Sequence, residues 1–250
     1  MNEKIDISKS ALEKILKSAN RMAESCVLKL DSNGIYTICS SEDKTVILFA
    51  RYNFENTNTN ISRINIISIK KLISGLACLG EENNFKVLYN TNNIKCSNTT
   101  GDNEFTEFKY HLVDNSVIHE YPLDINKITN LNFDTEFIIP QSKIKQIIQG
   151  YTFASDVSKI YFHTTEHEVF SEINDKTLQN VDNISIKICD SYMGDPITIP
   201  VALSTEVFKN LLNCKSDIKV KFNKEFKVFV FQNKDINDID IKYIVSSLVK

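Results

Sequence analysis

The sequence predicts an α+β protein built as two tandem copies of one unit, each with two helices packed on mainly antiparallel sheets. Three observations predict it: amphipathic helical periodicity recurs four times, short β-prone runs fill the intervals, and the order of elements restarts after residue 132. A chain of 250 residues can also hold two modest cores, since a single core usually serves ~100–150 residues.

Helix one is expected over 8–21. Leu12, Ile15, Leu16 and Ala19 recur at helical spacing behind a Ser10-x-x-Glu13 capping box. Strands follow at Ser25–Leu30, Gly34–Ser40 and Thr45–Tyr52, the first two joined by the Ser32-Asn33-Gly34 turn. After an Asn/Thr-rich stretch at 53–60 and a strand near 62–67, Ile69, Leu72, Ile73 and Leu76 mark helix two over 68–79, with Ser68 as N-cap. Strands Phe85–Tyr89, Ile94–Ser97 and Glu104–Leu112 close the first domain, 1–112.

Residues 113–132 are polar and broken by Tyr121-Pro122, which reads as a connector. The second domain, 133–250, opens with strand Asp134–Ile139. Pro140 then leads into helix three on Ile144, Ile147, Ile148 and Tyr151. Strands Lys159–His163, Glu168–Ile173, Asn183–Cys189 and Ile197–Val201 precede helix four, built on Val207, Phe208, Leu211 and Leu212 and capped by Ser204. Strands Asp217–Phe222, Lys227–Gln232 and Asp240–Val245 complete it. Both halves read strand, helix, four strands, helix, three strands. The helix starts Ser8 and Gln141 lie 133 residues apart, and Ser68 and Ser204 lie 136 apart.

Composition excludes several classes. No long apolar run appears, and no apolar segment follows basic residues at the N-terminus, so a cytoplasmic protein is expected, neither secreted nor in a membrane. Cys26, Cys39, Cys78, Cys96, Cys189 and Cys214 show no C-x-x-C spacing, as for reduced thiols rather than a disulfide frame or zinc site. Heavy use of Ile, Asn and Lys, with 6 Gly, 4 Pro and no Trp, is the bias of an AT-rich genome such as many viruses carry.

The net charge of −3 argues against a simple polycation, yet the charge is segregated. The helical windows 8–21, 68–80, 141–153 and 203–215 hold ten bases: Lys9, Lys14, Lys17, Arg21, Lys70, Lys71, Lys143, Lys145, Lys209 and Lys215. Against them stand two acids, Glu13 and Glu206, so the helices carry +8 and the rest of the chain −11. Lysine-rich solvent faces are common on single helices; four in agreement suit a positive surface for phosphates. Lysine lacks the bidentate fork that reads guanine, and no aromatic platform accompanies these residues. The expected ligand is duplex DNA, bound without sequence preference.

In this layout the chain resembles the DNA polymerase sliding clamps, the family of eukaryotic proliferating cell nuclear antigen and the phage polymerase accessory clamp. The segments that carry the resemblance are DISKSALEKILKSA (6–19), LKLDSNGIYTICSSEDKTVILF (28–49), SIKKLISGLACL (68–79) and DIKYIVSSLV (240–249). The last lacks the proline usual near its end in the eukaryotic clamp. The resemblance implies two tandem DNA-clamp domains that form a ring as a head-to-tail homotrimer, helices lining the channel. It implies a DNA polymerase and a clamp-loader ATPase as partners, and edge-strand pairing of Glu104–Leu112 with Asn183–Cys189 between subunits. It also implies a partner-peptide pocket at Ser40, Leu123, Ile125, Phe226 and Ile244. Ser40 is polar where an apolar wall is usual, and Leu123 and Ile125 also fit a simple anchored linker.

Nothing in the residues calls for catalysis, a metal or a cofactor. His163 and His167, beside Glu166 and Glu168, have i, i+4 spacing, but they flank a predicted hairpin, and such spacing shares a face only on a helix. No nucleophile elbow, phosphate loop or spaced acid cluster is present. Two alternatives remain: a monomeric processivity factor of the same fold, and an α+β metal-dependent hydrolase using those histidines.

Overall fold

The computed structural model describes residues 3–55, 61–81, 84–99, 105–118, 120–122, 131–178, 181–205, 208, 216–234 and 239–248. The chain divides into two compact units. Unit one gathers residues 1–42, 48–123 and 235–241; unit two gathers 43–47, 124–234 and 242–250.

Unit one runs β1 (Glu3–Ile5), α1 (Lys9–Ala19), β2 (Cys26–Asp31), β3 (Gly34–Ser40), β4 (Val46–Asn53), β5 (Arg63–Ile66), α2 (Ile69–Ala77), β6 (Lys86–Asn90), β7 (Asn93–Thr99) and β8 (Phe105–His111). Strands β1–β6–β7–β8 form an antiparallel sheet ending at β8, and β5–β2–β3–β4 lie side by side in that order. Helix α1 buries Ala11, Leu12, Ile15, Leu16 and Ala19 and packs on α2 and β3. Fully burying each such Leu or Ile contributes ~1.5–3 kcal/mol. Gly75 lets α2 close on Phe108 of β8, whose ring atoms would lie 2.9–3.1 Å from an added Cβ. At the β2–β3 turn Gly34 takes φ +139°, and a Cβ there would meet the Tyr52 carbonyl oxygen at 2.1 Å.

Unit two repeats the plan with β9 (Thr135–Ile139), α3 (Gln141–Phe153), β10 (Lys159–Thr165), β11 (Glu168–Ile173), β12 (Ile184–Cys189), β13 (Met193–Gly194), β14 (Val201–Ser204), β15 (Ile218–Asn223), β16 (Val228–Lys234) and β17 (Ile239–Ser246). Its orders are β9–β15–β16–β17 and β12–β11–β10–β14, with β13 added beside β9. Strand for strand this is the order in unit one. Starts of β2 and β10 differ by 133 residues (159 − 26), of β3 and β11 by 134 (168 − 34), and of β8 and β17 by 134 (239 − 105). The duplication inferred from the sequence is therefore one of topology. The two cores nevertheless differ. Unit one is filled by Ile15, Leu16, Leu28, Ile35, Leu48, Ile66, Ile69 and Leu72; unit two buries Ile139, Ile160, Ile173, Leu203 and Ile218 as deeply and adds the larger rings of Phe162, Phe229, Phe231 and Tyr243. Phe162 has Phe137, Phe208, Phe229 and Phe231 within 5.7–6.4 Å of its ring centroid.

Several expectations change. The cap of α1 is Ser8, whose hydroxyl accepts from the Ala11 N–H at 3.1 Å; Ser10 is already helical, and Glu13 pairs with Lys9 and Lys17 instead of closing a box. The strand expected at Ile197–Val201 is β14, Val201–Ser204, because Pro196 and Pro200 offer no N–H to a ladder. β1 and β13 are too short to give a periodic signal. The helix expected on Val207, Leu211 and Leu212 lies outside the described residues; Phe208 is buried, and Ser204 ends β14.

The polar segment after β8 is anchored to unit one. Arg63 of β5 donates to the Glu120 carboxylate at 2.6 Å and to the Ile118 carbonyl at 2.8 Å, and Lys29 of β2 pairs with the same carboxylate. The Asn65 amide donates to the Val113 carbonyl at 3.1 Å and to Asn115 Oδ1 at 2.7 Å.

Candidate nucleic-acid interface

Each described helix buries one stripe and turns lysines outward. On α2, Ile69, Leu72 and Leu76 are buried while Lys70 and Lys71 are exposed; on α3, Ile144, Ile147 and Gly150 are buried while Lys145 is exposed. On α1 the solvent side holds Lys17, with half-buried Lys14, and Arg21 is exposed just beyond the helix. Lys143 is half-buried, donates to Gln146 Oε1 at 3.1 Å and helps hold the Asp190 carboxyl below its usual range, after Lys187, the larger influence. Among the described residues no ion pair reaches Lys70, Lys71 or Lys145.

The position of these cations within the helices is informative. None of the three described helices has an acid in its first turn, whereas Lys9, Lys70, Lys71 and Lys143 all lie at or near a helix start. A cation there opposes the macrodipole and costs ~0.3–1 kcal/mol at each exposed site. The same placement adds side-chain charge to the free N–H groups of a helix start, where anions bind. Stability alone would favour acids at these positions.

Lys9 differs from the others. Its ammonium donates to the Gly80 carbonyl just beyond α2 and lies 3.7 Å from Glu13, with the side chain 12% exposed. It ties two helices together inside unit one. Lys17 is 54% exposed and shares Glu13 at 2.5 Å. Lys209 lies outside the described residues.

Of the residues expected to bind a partner peptide, Leu123 and Ile125 lie outside the described residues. Ser40 ends β3 and is half-buried, Phe226 is exposed in the β15–β16 turn, and Ile244 is buried within β17. Unit two holds a cavity of about 510 Å³ that sequence reasoning missed. It is lined by Lys159, Tyr161, Pro196–Ala202, Phe222, Lys224, Lys227, Ser247 and Leu248. These come from four separate stretches with no common local pattern. A second depression, about 540 Å³, lies between α3 and β12, beside exposed Phe153. β12 ends its sheet, as β8 does in unit one.

His163 lies in β10 with its ring stacked 5.7 Å from Phe170, and His167 lies in the exposed β10–β11 turn. Among the described residues no group of three or more His, Cys, Asp or Glu side chains is placed to hold a metal. Cys26, Cys39 and Cys96 are buried free thiols; burial pushes Cys96 up to about 12. No described helix is long and apolar enough to cross a membrane.

No protein-family model matches the chain, and no curated protein sequence does. Solved structures do. The chain is similar to A. fulgidus PCNA bound to the C-terminal region of FEN-1, with a TM-score of 0.74 and 11% identity, covering 100% of this chain and 99% of that one. It is similar to the proliferating cellular nuclear antigen of Entamoeba histolytica at 0.75 and 11%, over 99% and 98%. A PCNA2–PCNA3 complex from Sulfolobus tokodaii matches at 0.73 and 12%, over 100% of both chains. The chain has the sliding-clamp fold. The end-to-end coverage extends that likeness to both units. At 11–12% identity the clamp backbone is kept while most side chains differ, so individual contacts must be argued from this chain's own residues.

Proposed function

We propose that the chain is a DNA sliding clamp. Three copies close head to tail around duplex DNA and tether a replicative polymerase, a clamp-loader ATPase places the ring on DNA, and the protein itself performs no catalysis. The observation that carries this reading is the set of exposed cations on the described helices, Lys70 and Lys71 among them at a helix start where they oppose the macrodipole, in a chain of net charge −3. Lys17, Arg21, Lys70, Lys71 and Lys145 are exposed and are the proposed phosphate contacts, with half-buried Lys14 and Lys143 beside them and Lys209 on the fourth expected helix. Lys9 belongs to the helix-pairing interior rather than to that surface. Loose contacts from flexible ammonium groups hold DNA without reading it and permit sliding.

Ring closure is supported by β8 and β12, each the last strand of its sheet and each with unused main-chain groups. The depression between α3 and β12 would receive part of the neighbouring copy. The residues proposed to take partner peptides are Ser40, Leu123, Ile125, Phe226 and Ile244.

The test is primer extension on a long template with excess competitor DNA, so that each product reports one polymerase binding event. Products should lengthen when clamp and loader are both present. Equal lengths with and without them would refute the reading. Light scattering then separates the trimer from a monomeric processivity factor of the same fold, which would show the mass of one 28.6 kDa chain.

A further inference from the structure

We propose that the 510 Å³ cavity of unit two docks an acidic peptide, whose apolar residue fills the cavity while neighbouring carboxylates meet Lys224 and Lys227. The inference rests on the reading of the chain as a clamp that recruits partners through short peptides, and it adds the chemistry of a peptide that this cavity would hold.

The floor is apolar, made by Tyr161, Ile197, Val201, Ala202, Phe222 and Leu248. Ile199 stands on the rim 78% exposed, and Phe226 follows in the adjoining turn at 59%. Exposed apolar side chains gathered around a concave apolar surface mark a place that another chain covers. β14 is the last strand of its sheet, but its Ala202 carbonyl already accepts from the Leu248 N–H at 2.8 Å, so the cavity and its flanking lysines, not a free strand edge, would hold the peptide.

Charge decides which peptide. The charged residues lining the cavity are Lys159, Lys224 and Lys227, with no acid among them. Lys159 is neutralised by Asp175, both of whose oxygens lie 2.9 Å from its ammonium. Lys224 and Lys227 are exposed, and among the described residues no ion pair reaches either. Two acids lie close by. The Asp134 carboxylate accepts the Lys224 N–H at 2.7 Å, and Glu225 sits between the two lysines but does not line the cavity. A ligand entering the cavity therefore meets two available ammonium groups. Ser247 adds an independent sign. Its hydroxyl is buried at the cavity wall with no hydrogen-bond partner among the described residues, and an acceptor on a bound peptide would satisfy it.

The test uses the full chain and two short fluorescein-labelled peptides that share one apolar core, Ile-Ser-Gly-Phe. One is flanked by Asp and Glu, the other by Lys. Fluorescence anisotropy at low salt should show the acidic peptide binding about tenfold more tightly, with the advantage shrinking at high salt. In K224E/K227E the order should reverse, because both positions are exposed and the fold does not depend on their charge. Ala202→Trp fills the cavity and should weaken both peptides, with an unchanged thermal midpoint showing that the fold survives. Equal binding of the two peptides, or tighter binding of the basic one to the unaltered chain, overturns the inference. So does competition by a single-stranded oligonucleotide that removes the acidic peptide's advantage, since the lysines would then belong to a nucleic-acid surface. Failure here with lengthened polymerase products leaves the clamp reading standing; selective acidic-peptide binding with unchanged products does the reverse.

Discussion

Replacing Arg63 with alanine should release the segment that follows β8 without unfolding unit one. The guanidinium donates to the Glu120 carboxylate at 2.6 Å and to the Ile118 carbonyl at 2.8 Å, with its side chain 23% exposed. Hydrogen bonds to charged groups contribute ~1.5–3 kcal/mol each when well shielded, and partial exposure moves both toward the lower end. Because Asn65 still holds Val113 and Asn115, and Lys29 still holds Glu120, the segment should loosen by ~2–3 kcal/mol rather than detach. Ten-fold in an equilibrium corresponds to ~1.4 kcal/mol, so amides of Val117 and Ile118 should exchange with solvent ~30–150 times faster. Native-state hydrogen exchange followed by mass spectrometry on a peptide spanning 113–120 measures this, with β2 and β3 amides as the unaffected reference. Arg63→Lys should give an intermediate rate, since one ammonium cannot reproduce the fork. Exchange within threefold of the unaltered protein in the alanine variant would show that Arg63 does not hold the segment.

Alanine at Lys17, Lys70, Lys71 and Lys145 together should weaken duplex binding and flatten its salt dependence, the slope falling by ~0.9 for each phosphate no longer neutralised. A salt titration reads this, and an unaltered slope would place the four off the DNA. Lys9→Ala should instead lower stability by ~1 kcal/mol, visible as a thermal midpoint down by ~2–4 °C with the salt slope unchanged, because its ammonium serves Gly80 and Glu13. Asp175 is held down to about 2, first by the Thr177 hydroxyl and then by Lys159. A depressed folded-state value stabilises above the unfolded value near ~3.9, and that contribution is lost as pH falls toward 2. Asp175→Asn should therefore be less stable at neutral pH and flatten the acid limb below about pH 4; a parallel limb in denaturant melts at several pH values would refute the assignment.

The sequence carried the repeat because both of its signals are local. Helical periodicity at Leu12, Ile15 and Leu16 and at Ile144 and Ile147 needs no knowledge of partners, and Gly34 marks a turn by its own backbone requirement. Serine at 8 and at 10 both look like caps, and Glu13 three residues after Ser10 imitates a capping box; only the backbone geometry chooses Ser8. Lys9 is indistinguishable in sequence from Lys17, yet its carbonyl partner lies 71 residues away. Ile244 reads as one face of an alternating strand, but Tyr243, Ile244 and Val245 are all buried, so β17 is covered on both faces. The cavity of unit two was invisible for the same reason. Tyr161, Ile199, Phe222 and Leu248 become neighbours only after β10, β14 and β15 have assembled.

The unlike fillings of the two cores bear on how a duplicated chain avoids confusing its own halves. Strands that occupy matching places in the repeat could exchange during folding, since their lengths and sheet positions correspond. β2 and β7 carry no phenylalanine, whereas β10 and β16, which match them in the repeat, carry Phe162, Phe229 and Phe231, so an exchanged strand would either force rings into a place packed by smaller side chains or leave voids where rings belong. A swapped strand would thus be either crowded or loose, and each half can recognise its own pieces by volume alone.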